Sequence, residues 1–213
     1  MLFIVIVLCL ILIIAVFTGR KNKSLSKGDL GEQHVADACM ARLNNDYILF
    51  NNVTLRDQQQ STTQIDHILV SPYGIFVIET KNYSGWIYAN EYDSQWTQKF
   101  PNSSYSFQNP LHQNYRHIQV LNQLIHPIVN IQQIHSIVVF GDGCDFKTPL
   151  PKHVFQGDAW LDYITEIHDV VFSKAQVKQI KNMIQHGQLQ PSLRTQREHI
   201  KNVKARIKQQ KSA

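Results

Sequence analysis

The chain is poor in cysteine: Cys9, Cys39 and Cys144 are the three among 213 residues. They lie far apart and form no CxxC or Cys/His spacing, so the sequence contains neither a zinc-binding motif nor a disulfide framework, which fits a reducing compartment. Internal repeats and low-complexity segments are also absent, which excludes repeat architectures. No helix-turn-helix or zinc-finger pattern is visible, so nothing in the sequence indicates an element that reads base sequence.

Negative charge is scarce at the C-terminal end. From Pro191 onward the chain carries seven basic residues and one acidic residue, whereas the remainder carries fourteen basic and fifteen acidic residues. The body is therefore close to neutral, and residues 190–213 form a basic tail. Such a tail is suited to phosphate backbone or anionic lipid, and a solvated helical end is the alternative interpretation.

Charged residues are absent from the first segment, Met1–Phe17, and a basic linker over residues 20–27 follows it. A membrane-spanning helix needs roughly 17–25 apolar residues. No basic residue precedes the apolar run and no A-x-A cleavage site follows it, which favours an uncleaved anchor over residues 1–19 rather than a signal peptide. The positive charge after the anchor predicts a single-pass membrane protein whose body is cytoplasmic, in a bacterial inner membrane.

What the chain does contain is a pair of apolar strands between Gln64 and Lys81, QIDHILVSPYGIFVIETK. IDHILVS and GIFVIET are rich in β-branched and aromatic residues, and the Ser-Pro-Tyr-Gly between them is turn chemistry. If Pro72 and Tyr73 form a two-residue loop, Ser71 pairs with Gly74. Counting outward from that pair predicts an antiparallel hairpin that extends to both ends of this stretch.

Three charged residues, Asp66, Glu79 and Lys81, interrupt these apolar strands. The same register places Asp66 opposite Glu79, with β-carbons about 4.5–5.5 Å apart, and Lys81 on the face of Glu79. Two carboxylates this close repel each other unless a cation lies between them, and oxygen ligands beside a lysine are typical of a Mg²⁺ or Mn²⁺ site. A structural ion pair is the alternative, and for a lone Glu-x-Lys it would be favoured.

An acid on one strand and Glu-x-Lys at the end of the next resembles the PD-(D/E)xK nuclease superfamily. LGEQHVA, QIDHILVSPYGIFVIETKNYSGWI, QNPLHQNYRHI and SIVVF together look like a NERD (nuclease-related) domain. The resemblance implies an α/β fold with the restriction-endonuclease-like αβββαβ core over residues 28–150. It also implies Mg²⁺- or Mn²⁺-dependent hydrolysis of phosphodiester bonds, with DNA as the favoured substrate and RNA as the alternative.

The resemblance also implies roles for particular residues. Asp66 and Glu79 would be metal ligands, and Glu32, from a Gly-Glu pair in the first helix, would be a third carboxylate. Lys81 would orient the attacking water and stabilise charge, and Gln113 would be an auxiliary residue in the family's NPLxQN pattern. For Glu32 the alternative is an acid that stabilises a helix N-terminus, and for Gln113 it is a surface amide.

The remaining pattern predicts the elements around this site. They are a helix over Leu25–Arg42, a strand over Tyr47–Leu55, one or two short strands within Ile87–Trp96 followed by a polar loop through Ser106, a helix from Asn109 to Ile125, a strand over His135–Phe140, and a helical extension over residues 151–189 with a break near Phe172. Trp86 and Trp96 are interpreted as packing residues, with stacking on an unpaired base as the alternative.

The function predicted is a membrane-anchored, metal-dependent nuclease. A catalytically silent, membrane-tethered nucleic-acid-binding or adaptor protein with the same fold is the alternative prediction, and a structural membrane protein whose acids form salt bridges is the third.

Overall fold

The structure, a computed structural model, describes residues 25–190 and, beyond them, residues 192, 195, 197, 198, 200–203 and 205. The predicted anchor, residues 1–19, and much of the basic tail therefore lie outside the described residues. Within the part of the chain that the structure describes, no helix is long and apolar enough to cross a membrane.

The described chain is a mixed α/β structure with two sheets. Its helices are α1 (Lys27–Arg42), α2 (Pro110–Ile125), α3 (Ala159–Glu166) and α4 (Lys174–Gly187). Its strands are β1 (Ile48–Arg56), β2 (Thr62–Ser71), β3 (Gly74–Lys81), β4 (Gly85–Tyr88), β5 (Gln95–Phe100), β6 (Ser103–Gln108), β7 (Ile134–Phe140), β8 (Cys144–Phe146) and β9 (Val154–Gln156). The predicted order of helix, three strands, helix and strand is present, with β4–β6 inserted before α2.

Helices α1, α2 and α4 begin where the sequence supplies capping side chains. Ser26 caps α1, and its hydroxyl and the Asp29 carboxylate form a reciprocal capping box. Asn109 caps α2, and Pro110 occupies the first turn, where a missing backbone N–H costs nothing. Ser173 caps α4 in the same way as Ser26 caps α1, which explains the predicted break after Phe172.

The first sheet has the strand order β1-β2-β3-β7-β9 and is covered on both faces. β1, β2 and β3 are antiparallel neighbours, whereas β7 pairs in parallel with β3 and β9. Apolar residues of α2 and α4 pack on one face, and residues of α1 and α3 pack on the other. β3 is therefore a central strand of a three-layer arrangement, which explains its nearly continuous apolar sequence.

The second sheet, with the order β6-β5-β4-β8, was only partly predicted. The predicted strands within Ile87–Trp96 are confirmed at the two ends of that range, where β4 includes Ile87 and β5 begins at Gln95. The predicted polar loop through Ser106 is wrong, since β5 and β6 pair along their whole length from Gln95–Gln108 to Phe100–Ser103. The segment after β7 contains the short strand β8. β5 and β6 expose one face to solvent and contain few apolar residues, so their sequences resemble those of loops.

The alternation of β2 is interrupted at Asp66. Ile65 and Ile68 belong to the same core cluster although they are three residues apart, so the strand changes face between them. Pairs on either side, Asn51–His67 and Val53–Ile65, place Asn52 of β1 across from Asp66. Asn52 has a φ of 55°, in the left-handed region that asparagine tolerates better than most residues. The irregularity therefore lies beside the predicted site.

Candidate active site

The carboxyl end of β3 holds a buried ion pair. The Lys81 Nζ lies 2.5 Å from the Glu79 Oε1, and the two side chains are 16% and 2% exposed. Burial raises the pKa of Glu79, but the charge of Lys81 and the hydrogen bond from His117 outweigh it and hold the pKa at about 2. Burial lowers the pKa of Lys81, and the negative charge of Glu79 more than reverses this, so the pKa is raised. Both groups are therefore charged at neutral pH.

Asp66 approaches this pair from β2. The predicted Ser71–Gly74 pairing is confirmed, and regular pairing of β2 with β3 continues as far as His67–Ile78. One position further, the Asp66 Oδ2 accepts a hydrogen bond from the Thr80 backbone N–H at 2.8 Å. Burial of the carboxyl, followed by the nearby charge of Glu79, raises the pKa of Asp66 well above its usual value. At this end of the hairpin, the negative charge of Glu79 therefore disfavours the ionised form of Asp66.

Glu32 comes to the site from α1. Gly31 lets the helix lie close to the chain after β3, because a β-carbon at Gly31 would lie 2.8 Å from the Asn82 Cβ. Burial raises the pKa of Glu32, a hydrogen bond with the Asn52 side chain lowers it, and the negative charge of Glu79 raises it. Glu32 is therefore within electrostatic range of Glu79, and the hydrogen bond ties it to β1.

Helix α2 supplies two polar side chains. The Gln113 Oε1 accepts a hydrogen bond from the Lys81 Nζ at 3.1 Å. The His117 Nε2 lies 3.1 Å from the Glu79 Oε2, and its Nδ1 lies 2.8 Å from the Thr63 Oγ1. Because a carboxylate can only accept, the His117 Nε2 donates to Glu79. Both Glu79 oxygens thus have a protein donor, one from β3 and one from α2.

His117 and Thr63 are contacts that sequence reasoning missed. His112 and His117 are five residues apart and so do not form the i, i+4 histidine pair typical of a metal site on a helix. Gln113 and His117 are four residues apart and therefore lie on one face of the helix, from which they contact Lys81 and Glu79. This spacing is the signal in the sequence that could have indicated His117. His117 is 4% exposed and Thr63 is 2% exposed. No local sequence pattern shows that His117, on helix α2, will contact Glu79, which lies 38 residues earlier in the chain on strand β3.

Two asparagines fix α2 in position. The Asn109 Nδ2 donates to the carbonyl oxygens of three residues in the β4–β5 connection, at 2.7 to 3.3 Å: Asn90, Glu91 and Asp93. The Asn114 Nδ2 donates to the carbonyl oxygens of Val77 on β3 and Ile137 on β7, at 2.9 and 3.2 Å. Asn109 and Asn114 therefore attach α2 to the β4–β5 connection and to the first sheet. In this position of the helix, Gln113 lies within hydrogen-bonding distance of Lys81.

The donor atoms suit a hard divalent cation. Asp66 and Glu79 offer carboxylate oxygens, and Mg²⁺ typically takes one or two carboxylates and keeps several waters. Burial and then the nearby charge of Glu79 raise the pKa of Asp66, and a cation bound beside this carboxyl would lower it again. Across the described residues, no group of three or more His, Cys, Asp or Glu side chains is close enough to hold a metal ion. Glu32 thus does not complete a three-carboxylate cluster in this geometry.

The fold is mixed α/β with two sheets, and comparison with known families identifies the class of protein. Residues 27–141 match the family model of the nuclease-related domain, NERD, and the chain belongs to that family. It is also similar to an uncharacterized protein of Bacillus anthracis, with 34% identity over 169 residues that cover 78% of this chain and 76% of that protein. The resemblance found in the sequence is confirmed.

Replacing His117 with alanine is expected to destabilise the fold by about 2–4 kcal/mol. The change removes a donor from the buried Glu79 carboxylate, leaves the Thr63 hydroxyl without this partner and empties the space of a buried ring. Urea unfolding measures the difference. His112→Ala is the matched control, because His112 is exposed on the same helix. Equal midpoints for the two variants would show that the His117 contacts contribute nothing.

Proposed function

We propose that this chain is a metal-dependent nuclease with a restriction-endonuclease-like core, that it hydrolyses phosphodiester bonds of DNA, and that residues 1–19 hold it at the cytoplasmic face of a membrane. One observation carries the proposal: a buried Glu79–Lys81 pair lies beside Asp66 at the end of a central strand, in a chain of the nuclease-related family. RNA is the alternative substrate.

Asp66 and Glu79 would hold the metal ion, with Glu32 as the nearest further carboxylate. When bound, Mg²⁺ or Mn²⁺ supplies positive charge to the scissile phosphate and lowers the pKa of a bound water. Asp66 must lose its proton to act as a ligand, because its pKa is raised and a protonated carboxyl is a poor ligand. Ion binding is therefore expected to become tighter as the pH rises.

Lys81 would act as a donor and not as a base. The neighbouring Glu79 carboxylate raises its pKa, so the Nζ keeps its proton and its positive charge. A protonated amine can donate a hydrogen bond to the attacking water and to a phosphate oxygen, and it stabilises the charge that develops during attack. Gln113 would position Lys81, since its Oε1 accepts one of the Nζ protons.

The surroundings of Lys81 leave room for a substrate. A cavity of about 440 Å³ opens beside it, and its lining includes Lys27, Asn82, Gln98 and Phe100. The volume lies within the range typical of ligand sites, about 300–1,000 Å³. Lys27 and Lys81 both line this cavity, so a phosphodiester that enters it would meet two basic residues.

The test is cleavage of labelled nucleic acid by the full-length protein in detergent. Linear duplex, circular duplex and single-stranded DNA, with matching RNA, are incubated with Mg²⁺, Mn²⁺ or EDTA. Cutting that requires the metal and stops in EDTA is the expected result. Calorimetry of Mg²⁺ binding, performed beside it, reports on the metal site without depending on turnover.

The substrate panel also separates the two functions that the sequence predicted. Metal binding without cleavage of any substrate would contradict the enzyme and favour the silent binding protein with the same fold. Absence of both metal binding and cleavage would contradict the metal site as well. DNA cleavage with no RNA cleavage would select the proposed substrate over its alternative.

A further inference from the structure

The beginning of the basic tail is docked on the body of the protein. After α4, the Leu189 N–H donates to the Thr54 carbonyl oxygen at 2.9 Å, so the chain lies along β1. The Ser192 hydroxyl then accepts a hydrogen bond from the Thr195 N–H at 3.0 Å, as an N-cap does. The described residues that follow, 195, 197, 198, 200–203 and 205, all have helical backbone. We call these residues the tail segment.

Two side chains of the tail segment contact the end of the β1–β2 hairpin. The Arg56 Nη1 and Nη2 lie 2.5 and 3.3 Å from the Oε1 and Oε2 of Glu198. The Asn202 Nδ2 donates to the Thr62 Oγ1 at 3.1 Å. Glu198 and Asn202 are four residues apart and therefore share one face of the helical segment. Arg56 and Thr62 are direct partners in the strand pairing, so the two contacts fix which face of the segment lies on the hairpin.

This docking separates the charges of the tail. Glu198 is the one acidic residue from Pro191 onward, where the chain carries seven basic residues. Its carboxylate is paired with Arg56, and the two side chains are 32% and 31% exposed. Arg197 and Lys201, which are also four residues apart, are exposed. The tail segment therefore turns its negative charge toward the hairpin and its positive charges toward solvent.

The docking point is near the candidate active site. Thr63, the neighbour of Thr62, lies 2.8 Å from the Nδ1 of His117. The Nε2 of the same histidine donates to Glu79 at 3.1 Å. Along β2, Thr62 is four residues from Asp66, which is about 13 Å in a strand. Successive phosphates of a DNA strand follow one another about every 3.4 Å along the duplex axis, so a few nucleotides cover this distance.

We propose that the tail segment binds the phosphate backbone of the nucleic acid at the candidate active site, through Arg197 and Lys201; this inference rests on the proposed function. Charge complementarity selects this occupant, because outward lysine and arginine side chains hold phosphates. Residues four apart on a helix have β-carbons about 5–6 Å apart, so the two side chains reach different phosphates. The docked position favours nucleic acid over anionic lipid, since Glu198 and Asn202 hold the segment beside the site that a nucleic acid must enter.

The first measurement is the fluorescence anisotropy of labelled DNA with the full-length protein in detergent and EDTA, where the metal-dependent reaction is stopped. Arg197→Gln combined with Lys201→Gln is expected to weaken binding about tenfold and to reduce the slope of log affinity against log salt by about two. The loss should be the same for different DNA sequences, because phosphate contacts carry no base information. Unchanged affinity and salt slope would overturn the inference.

Lys174→Gln combined with Lys178→Gln is the matched control. These lysines are exposed, lie four residues apart on α4 and give the same loss of charge. Helix α4 begins beside Pro72, since the Phe172 N–H donates to the Pro72 carbonyl oxygen, and Pro72 lies at the opposite end of β2 from Thr62. The control is expected to bind DNA as the wild type does. An equal loss of affinity in the two double variants would show that net charge alone determines binding and would contradict the inference.

Exchange of the paired charges tests the docking itself. Glu198→Arg removes the pairing with Arg56 and replaces a negative charge in the tail with a positive one. A free basic arm would then bind DNA more tightly, whereas a docked segment is expected to bind more weakly, because its phosphate-binding side chains are no longer held in place. Arg56→Glu combined with Glu198→Arg restores an ion pair at the original net charge and is expected to restore wild-type affinity. Tighter binding by Glu198→Arg alone would contradict the docked arrangement.

A lipid arm tests the other polyanionic partner. The wild type and the Arg197, Lys201 double variant are placed in nanodiscs of phosphatidylcholine, with and without phosphatidylglycerol, and DNA binding is measured in EDTA. A tail segment that binds DNA predicts that phosphatidylglycerol changes the affinity of both proteins by the same factor, through repulsion of DNA by the bilayer. A larger loss in the wild type would assign the two side chains to anionic headgroups and overturn the inference.

Cleavage kinetics separate this inference from the proposed function. The Arg197, Lys201 double variant is expected to raise KM and leave kcat unchanged, whereas a change that acts through the site geometry would lower kcat. DNA binding that depends on these two residues in a protein that cuts nothing would support the tail segment as a binding surface and contradict the nuclease. Cutting with an unchanged KM in the double variant would support the nuclease and contradict the inference.

Discussion

Asp66→Asn is expected to lower the rate of cleavage by about a thousandfold or more and, in EDTA at pH 7, to raise the free energy of unfolding. The loss of rate follows from the loss of a charged metal ligand. The gain in stability follows from the pKa of Asp66, which burial and the charge of Glu79 raise in the folded protein. Above the unfolded pKa, the folded state is disfavoured relative to the unfolded state, because it retains a proton that the unfolded chain releases.

Asparagine removes this penalty and keeps the hydrogen bond. Its side-chain oxygen can accept from the Thr80 N–H, as the Asp66 Oδ2 does now at 2.8 Å. Urea unfolding at several pH values measures the effect, which should vanish below the usual pKa of an aspartate and grow as the pH rises. Asp169→Asn, an exposed aspartate before α4, is the control for both activity and stability.

Addition of Mg²⁺ provides an independent check on Asp66. A ligand that binds only the folded state raises the melting temperature, and the rise is larger for a ligand that binds more tightly. Mg²⁺ should therefore raise the melting temperature of the wild-type protein and of Asp169→Asn, and leave that of Asp66→Asn unchanged. If Mg²⁺ does not raise the melting temperature of Asp66→Asn but this variant still cleaves at the wild-type rate, the role of Asp66 as a catalytic metal ligand is contradicted.

Lys81→Met is expected to abolish cleavage and to destabilise the fold by about 3–5 kcal/mol. The Glu79 side chain is 2% exposed, and Lys81 supplies the charge that keeps it ionised in that environment. Removing one member of a buried ion pair leaves the other charge uncompensated, and this is the costly way to break such a pair. Urea unfolding and the cleavage assay are the measurements.

A double-mutant cycle isolates the pair. Lys81→Met combined with Glu79→Gln removes both charges, and the double variant is expected to recover most of the lost stability but none of the activity. Recovery of activity in the double variant would contradict the catalytic role of both residues. Equal stability of Lys81→Met and the wild type would contradict the buried pair itself.

The matched control for stability is Lys147→Met. Asp145, Phe146 and Lys147 repeat the acid-x-Lys spacing of Glu79, Thr80 and Lys81. The Asp145 and Lys147 side chains also form an ion pair, but they are 62% and 40% exposed. Exposed pairs contribute about 0–1 kcal/mol, so this variant should unfold close to the wild type.

Much of the first sheet could be predicted because its signals are local. The Ser-Pro-Tyr-Gly turn determined the Ser71–Gly74 pairing, and counting outward placed Asp66 near Glu79. Capping residues marked the start of α1 and α2 within a few positions. The interruption at Asp66 was not predictable, since it depends on Asn52 of the neighbouring strand.

The second sheet and the third layer of the site could not be predicted in the same way. β5 and β6 have little apolar sequence, because only one of their faces packs on the core. His117 had no signal that connected it to Glu79, since the contact joins a helix and a strand in different layers. Such contacts depend on how layers pack, and a window along the chain does not contain that information.

The sequence by itself determined the nuclease-related family, the central hairpin and the set Glu32, Asp66, Glu79, Lys81 and Gln113 from which a site could be built. By spacing alone, the sequence could not distinguish the acid-x-Lys motif at Glu79 and Lys81 from the one at Asp145 and Lys147. Only the tertiary structure placed the first motif in a strand that is covered on both faces. It placed the second motif at a short strand whose outward side chains reach solvent. Burial withdraws water from the charges of the first motif, and an interaction between charges is strong only where water does not screen it.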